Sequence, residues 1–136
     1  MKVVIFEAEE WEARACRALS GNHELTCVKE RLTSDNAAKY SDAEVISTFI
    51  NSRLDAEVLR HFPELRLIAT RSTGHDHIDL AWCAAEDIEI ANVPDYGDVT
   101  VAEHSFALML AAARHLVPAV ERTRRGNFSQ DDLRGI

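Results

Sequence analysis

Five short runs rich in valine and isoleucine, separated by helix-like segments, constrain the fold of this chain more than any other feature. Continuous apolar character, as in Val3-Val4-Ile5-Phe6, is typical of a strand covered on both faces. Runs of this kind that alternate with helices predict an α/β protein with a doubly wound, five-stranded parallel sheet. The predicted strands are residues 2–7, 24–29, 44–49, 67–71 and 89–93.

The segments between these runs have helix-forming composition and some periodicity near 3.6 residues. They cover residues 10–19, 54–61 and 80–86, with a weaker stretch at 34–38. Asp55 and Asp79 are predicted to lie in first turns, where an acid suits the positive end of a helix.

A different element follows Pro94. Residues 100–125 are predicted to form one long helix, with Thr100 as N-cap and Glu103 completing a capping box. Its middle, residues 106–113, is apolar all round, so we expect it to pack against a further domain, another subunit or both. Pro118 is expected to break or kink the helix near Arg114. Residues 126–136 are polar and resemble a linker.

Composition excludes several classes of function. The 136 residues are 46% hydrophobic, which suits one ordinary domain with an appendage. A net charge of -8 argues against nucleic-acid and anionic-membrane partners. The first residues lack the features of a secretion signal, and the longest apolar run is far shorter than a membrane span. Three widely spaced cysteines fit reduced thiols, so we expect a soluble, cytoplasmic protein.

Ligands of open parallel sheets bind beyond the carboxyl ends of the strands. The loop after the fourth run, Ser72-Thr73-Gly74, offers consecutive N–H groups and a glycine that permits close approach, which would suit a carboxylate. The alternative is an ordinary turn before a helix. Phe49 follows the third run. Tyr96 follows the fifth, where it could contact a ligand or serve only in packing.

Other chemistries are disfavoured. His75, Asp76, His77 and Asp79 are close in sequence, but alternating side chains would diverge in an extended loop and no further ligand is evident, so no metal is predicted. Ser72 has no evident histidine partner, which argues against a hydrolase.

No phosphate-binding loop is present either. The five glycines, at positions 21, 74, 97, 126 and 135, cannot form a G-x-G-x-x-G or a Walker loop. A phospho-accepting receiver domain is disfavoured because Ser47-Thr48-Phe49 and Asn92-Val93 stand where its aspartate and lysine would be expected.

Three motifs in order resemble the D-isomer-specific 2-hydroxyacid dehydrogenase family, and its D-lactate dehydrogenase-like branch in particular. They are Leu67 to Asp79, Asn92-Val93-Pro94-Asp95-Tyr96-Gly97 and Thr100-Val101-Ala102-Glu103-His104, and they are supported by Leu54 to Leu59. The resemblance implies a flavodoxin-like catalytic domain at residues 1–95 and a crossover with a long helix at 96–125. In the family that helix packs on an NAD-binding Rossmann domain and at a homodimer interface.

The resemblance also implies roles for individual residues. The substrate carboxylate would be held at Ser72, Thr73 and Gly74, Phe49 would line the pocket, and Tyr96 would reach the substrate. Tyr96, Thr100 and Val101 would lie toward the nicotinamide end of NAD. Phe49 stands where relatives carry tyrosine, and His75 where an apolar residue is usual, so the keto acid stays open.

The family's catalytic arginine, glutamate and histidine and its glycine-rich loop are expected beyond Ile136. We therefore expect a substrate-binding part of an NAD-dependent oxidoreductase that interconverts 2-keto acids and D-2-hydroxy acids, inactive by itself. The alternative is a non-enzymatic binding or dimerisation module on the same scaffold.

Overall fold

The structure, a computed structural model, describes residues 1–18 and 20–135. It divides into two compact units, Met1–Pro94 and Asp95–Ile136. The first unit contains the sheet and four helices, and the second contains two helices.

The sheet of the first unit has five strands: β1 (Lys2–Ile5), β2 (Glu24–Cys27), β3 (Val45–Thr48), β4 (Leu67–Thr70) and β5 (Glu89–Ala91). Their order is β2-β1-β3-β4-β5 and every pair is parallel. This confirms the predicted α/β class, and the order is that of flavodoxin-like sheets. Each predicted run extends one or two residues past its strand, because the chain leaves the ladder there to form the loops at the carboxyl edge.

The core lies around this sheet and is formed by large apolar side chains from strands, helices and loops. The fully buried members include Phe6, Leu32, Ile46, Leu54, Leu59 and Ile68. The ring of Phe6 meets that of Tyr40 edge to face, with centroids 5.1 Å apart. Burial on both faces is what the uninterrupted apolar runs predict.

The connecting helices of the first unit are short: α1 (Glu10–Ala18), α2 (Ser34–Ala37) with a 3-10 turn at Ala38–Tyr40, α3 (Ala56–Leu59) and α4 (Leu80–Ala85). The end of the helix predicted at 10–19 falls on Leu19, outside the described residues. Asp55 and Asp79 are N-caps, one position before the first turns predicted for them, and accept hydrogen bonds from the amides of Val58 (3.1 Å) and Trp82 (3.0 Å).

The prediction of a single helix over residues 100–125 is wrong. The second unit has α5 (Asp98–Ala113) and α6 (Leu116–Arg124), separated at Arg114 and His115. His115 has a left-handed backbone (φ 50°), and the break near Arg114 agrees with the expected effect of Pro118. Pro118 is the third residue of α6. Because the first four amides of a helix have no intrahelical acceptor, the absence of an N–H group in Pro118 costs the helix no hydrogen bond.

The start of α5 also differs from the prediction. Its N-cap is Gly97, with no side-chain cap, and Thr100 already lies within the first turn, so the capping box of Thr100 and Glu103 is not formed. The Val101 amide donates to the Gly97 carbonyl at 2.9 Å, which starts the helix earlier. Residues 126–135 contain turns but neither helix nor strand.

No side chain of α5 is buried. Phe106, Leu108, Met109 and Leu110, in the apolar middle of the helix, are each 56–64% exposed. Among the residues that the structure describes, no helix combines the length and the apolarity needed to cross a bilayer.

Candidate functional site

The candidate site of the first unit lies where β1, β3, β4 and β5 end. Because these strands are parallel, the loops after Ile5, Thr48, Thr70 and Ala91 leave the sheet at the same edge. Hydrogen bonds join these loops into one network, in which the loop of residues 71–77 after β4 is central.

Two buried hydroxyls shape the loop after β4. Thr70 is 2% exposed and Ser72 is 4% exposed, and their oxygens are 2.6 Å apart. Ser72 Oγ donates to the Gly74 carbonyl at 2.7 Å, and the single proton of Thr70 Oγ1 is shared between Ser72 Oγ and the Phe49 carbonyl, which is 3.2 Å away. The structure therefore brings Phe49, Ser72 and Gly74 together. The Ser72 hydroxyl therefore makes its hydrogen bonds within the loop itself.

The same loop is fixed to the segment that follows β5. Asn92 Nδ2 donates to the Thr73 carbonyl at 2.8 Å, and the hydroxyl of Thr73 donates to the Val93 carbonyl at 3.1 Å. The Val93 amide donates to the Ser72 carbonyl at 3.1 Å. These bonds involve the carbonyl side of the loop and leave its amides free.

Thr73 and Gly74 are exposed, and their amides donate to no protein acceptor within residues 1–18 and 20–135. Two consecutive free amides in a fixed loop form a binding place for an anion, and a carboxylate oxygen is an acceptor of the right kind. A Cβ built on Gly74 would meet only Asp76 Oδ2, at 3.7 Å, an ordinary contact. The packing of the fold therefore does not require a glycine at this position.

Phe49 is half-buried at the end of β3, in a loop that Glu7 holds. Glu7 Oε1 accepts from the Ser52 amide (2.9 Å) and hydroxyl (2.5 Å) and, at 3.4 Å, from the Phe49 amide. Glu7 Oε2 accepts from the amide and the side chain of Asn51, both at 2.9 Å. Partial burial alone would raise the pKa of Glu7, but these hydrogen bonds outweigh it and the pKa is lowered.

Arg71 connects the loop after β4 to β1 and β3. Its guanidinium donates to Glu12 Oε1 (3.0 Å), to Ser47 Oγ (3.1 Å) and to the carbonyls of Phe6 and Glu7 (both 3.0 Å). The ion pair with Glu12 is mostly shielded, with side chains 22% and 18% exposed. Four of the five guanidinium N–H donors are engaged in this way, so Arg71 ties the loop to the body of the sheet.

His77 lies beside the hydroxyl pair, with Nε2 3.4 Å from Thr70 Oγ1. Burial lowers the pKa of His77, and the field of His75 acts in the same direction, whereas the fields of Glu7 and Asp76 oppose it. His75 and Asp76 are exposed. In the described part of the chain, no group of three or more His, Cys, Asp or Glu side chains is gathered as for a metal ion.

The other predicted site residues, Tyr96, Thr100 and Val101, belong to the second unit. Tyr96 is 60% and Val101 65% exposed, at the turn before α5 and in its first turn, and Thr100 beside Val101 is exposed as well. They are accessible on that unit, as residues that contact a small ligand must be.

Sequence reasoning missed Glu7, Glu12 and Arg71. Their side-chain contacts with the site loops and strands join residues 24 to 65 positions apart, which no local pattern encodes. The available signal was weak: a charged residue stands immediately past a buried run at position 7 and again at position 71.

Residues 3–130 match the family model described as D-isomer specific 2-hydroxyacid dehydrogenase, catalytic domain. A 2-hydroxyacid dehydrogenase homolog of Zymomonas mobilis is 31% identical over the whole chain, which spans 42% of that relative. A glyoxylate reductase of Pyrococcus furiosus is 32% identical over 94% of the chain and 34% of its own length.

A solved structure gives the same result. The D-lactate dehydrogenase of Aquifex aeolicus, in complex with NAD and lactic acid, superposes with a TM-score of 0.92 at 30% identity. The comparison covers 98% of this chain and 40% of the Aquifex chain. The chain thus spans about two fifths of the length of such proteins and belongs to the D-isomer specific 2-hydroxyacid dehydrogenase family, within its catalytic domain.

Proposed function

We propose that this chain is the substrate-binding part of an NAD-dependent oxidoreductase that interconverts 2-keto acids and D-2-hydroxy acids of the pyruvate and lactate kind. The observation that carries the proposal is the pair of free amides at Thr73 and Gly74, held in a loop whose carbonyl side is fixed by hydrogen bonds. Membership of the family and similarity to a D-lactate dehydrogenase solved with NAD and lactic acid support it.

In this proposal the substrate carboxylate accepts hydrogen bonds from the Thr73 and Gly74 amides, with the main chain of Ser72 completing the loop. The ring of Phe49 lines the pocket and, unlike a tyrosine, offers no hydroxyl. The family resemblance adds Tyr96, an exposed side chain, as a further substrate-binding residue. Holding the acid at one end fixes the position of its C2 atom, and such positioning accounts for a large share of enzymatic rate enhancement.

The cofactor would contact this chain only at its nicotinamide end, through Tyr96, Thr100 and Val101. The exposed positions of all three fit this role, whereas no glycine-rich loop in the sequence could hold the pyrophosphate. When bound, NADH supplies a hydride to C2 of the keto acid. The proton for the resulting alkoxide would come from groups outside these 136 residues, so the chain alone is inactive.

A missing NAD-binding domain and a second copy are the proposed partners of residues 100–125. The exposed apolar side chains of α5 support this proposal, because apolar surface patches often mark the places where another domain or subunit binds.

Titration of the 15N-labelled chain with pyruvate tests the substrate site. We expect the amide signals of Thr73 and Gly74 to shift most, and the uncharged pyruvamide to leave them unchanged. The absence of any shift at concentrations on the order of 100 mM would contradict the proposal, since even weak sites bind in this range.

Two further observations separate the enzyme from a binding module. The 136-residue chain is expected not to oxidise NADH with pyruvate. The reading frame beyond residue 136 is expected to encode a G-x-G-x-x-G loop, which the alternative, a non-enzymatic module, does not require.

A further inference from the structure

Glu7 has an unusual place in the fold. It follows β1 with a left-handed backbone, φ 56°, a conformation that costs a residue with a side chain about 1 kcal/mol. Its amide donates to the Glu30 carbonyl at 3.1 Å, so the turn is anchored to the segment after β2. A glycine would adopt this backbone without cost, and a glutamate there indicates that the carboxylate is needed.

The carboxylate serves the loop of residues 49–52 alone. Five donors from that loop, three main-chain and two side-chain, contact its two oxygens at 2.5–3.4 Å. Among the described residues no cation forms an ion pair with the Glu7 carboxylate, and the nearby Arg71 donates to the Glu7 carbonyl instead. With its acceptor sites filled in this way, Glu7 is not available as a general base.

The contacts continue from Glu7 to the carboxylate-binding loop. Residue 49, in the loop that Glu7 holds, offers its carbonyl to Thr70, whose hydroxyl lies against that of Ser72, and Ser72 donates to the Gly74 carbonyl. On the other side, Ser52 Oγ accepts from the Leu32 amide at 2.9 Å while it donates to Glu7. Glu7 therefore lies at the origin of a series of polar contacts that leads to the loop of the free amides.

We infer that Glu7 is a positioning residue of the substrate site, which sets the place of Phe49 and, through Thr70 and Ser72, the conformation of the Thr73-Gly74 amides. The inference rests on the proposed function, since it concerns how that same site is held in shape. Glu7 does not contact the substrate. A carboxylate in direct contact would repel a keto acid, so its charge is useful only where loop donors shield it.

The test compares Glu7→Gln with Glu44→Gln. Glutamine has the same shape as glutamate, but it replaces one acceptor oxygen with a donor that must face donors of the loop. Glu44 is the matched control: its carboxylate accepts from the Lys2 amide at 2.7 Å, at the amino edge of the sheet. Amide hydrogen exchange of the ligand-free chain and pyruvate affinity are measured on the wild-type chain and both variants.

We expect Glu7→Gln to accelerate exchange at the Asn51 and Ser52 amides at least tenfold and to weaken pyruvate binding about tenfold. Glu44→Gln should change neither. Unchanged affinity in a folded Glu7→Gln chain would overturn the inference, whether or not exchange accelerates.

Two further measurements apply if the Glu7→Gln variant does not fold or if the wild-type chain does not bind pyruvate. If Glu7→Gln fails to fold, Asn51→Ala removes one donor to Glu7 at an exposed position, and we expect it to weaken binding about threefold; no effect would overturn the inference. If the wild-type chain does not bind pyruvate, the proposed function fails. In that case, the rates of amide hydrogen exchange at Asn51 and Ser52 in the wild-type and Glu7→Gln chains still show whether Glu7 orders the loop.

Discussion

The hydroxyl of Ser72 donates a hydrogen bond to the carbonyl oxygen of Gly74 at 2.7 Å, which closes the loop after β4 upon itself. This bond turns the Gly74 carbonyl inward and is one reason why the amides of the loop stay available. The loop is therefore shaped by a side chain that is itself 4% exposed.

Ser72→Ala should lower both stability and affinity. The change leaves a carbonyl without its donor and removes the partner of the Thr70 hydroxyl, so we expect the free energy of unfolding to fall by about 1–2 kcal/mol. Ser105→Ala is the matched control, because Ser105 Oγ also donates to a main-chain carbonyl, that of Val101, but on an exposed helix surface. Its effect should stay within about 0.5 kcal/mol in urea unfolding. Equal effects of the two variants would contradict the role given to Ser72.

Gly74→Val should separate binding from folding. A Cβ at this position finds ordinary space, so the unfolding midpoint should change little, whereas the larger side chain shields the amides from a carboxylate. We expect at least a tenfold loss of pyruvate affinity in an NMR titration, with the melting temperature within a few degrees of the wild type. Wild-type affinity in the variant would exclude this loop as the carboxylate site.

Thr48→Val and Thr70→Val should act with opposite signs. These threonines are register partners on β3 and β4 and are almost equally buried, but Thr48 Oγ1 has no hydrogen-bond partner among the described residues, whereas Thr70 Oγ1 has several. Removing the unpaired hydroxyl should stabilise the fold by about 1 kcal/mol, and removing the paired one should destabilise it by about 1–2 kcal/mol. Denaturant unfolding of both variants measures these changes. A destabilised Thr48→Val variant would contradict the finding that the Thr48 hydroxyl has no hydrogen-bond partner.

Acidification should destabilise the first unit through two groups, His77 and Glu7. Burial lowers the pKa of His77 below its ordinary 6.5, so below pH 6.5 the unfolded chain takes up a proton that the folded chain resists, and stability falls until the folded pKa is passed. The lowered pKa of Glu7 contributes stability that is present above pH 4.5 and lost as the pH falls through the folded pKa.

Variants assign each decline to its residue. His77→Gln should remove the decline that begins below pH 6.5, and Glu7→Gln should reduce the decline that begins below pH 4.5, as followed by thermal unfolding across pH. If His77→Gln left the decline that begins below pH 6.5 unchanged, another group would be its source.

The exposed side chains of α5 predict self-association. In light scattering we expect the chain to show about twice the mass of a single copy, since covering such a face lowers the apolar area in water. Leu110→Glu should return it to a single copy, and His104→Glu, at an exposed polar position of the same helix, should not. A monodisperse single copy of the unaltered chain would exclude this interface in the chain alone.

The sequence predicted the central strands well because β1, β3 and β4 carry buried residues and form apolar runs, whereas the edge strands β2 and β5 have no buried residue. The loop at residues 72–74 was also recognisable, since a glycine after such a run is a local signal. The contacts of Glu7 and Arg71 could not be predicted. Their partners are distant in the sequence and are brought close only by the register of the strands in the sheet.

The start of α5 shows a different limit. Thr100 and Glu103 have the spacing of a capping box, but the turn that ends at Gly97 starts the helix before it, and Asp98 suits its first turn. A local capping preference of about 1 kcal/mol is easily outweighed by the path of the preceding chain.

The hydrogen bonds between Glu7 and the loop of residues 49–52 matter when segments are exchanged between related proteins. A segment grafted in place of residues 49–52 would lose its shape unless the residue at position 7 were transferred with it. The two stretches behave as one transplantable unit, although more than forty residues separate them along the chain.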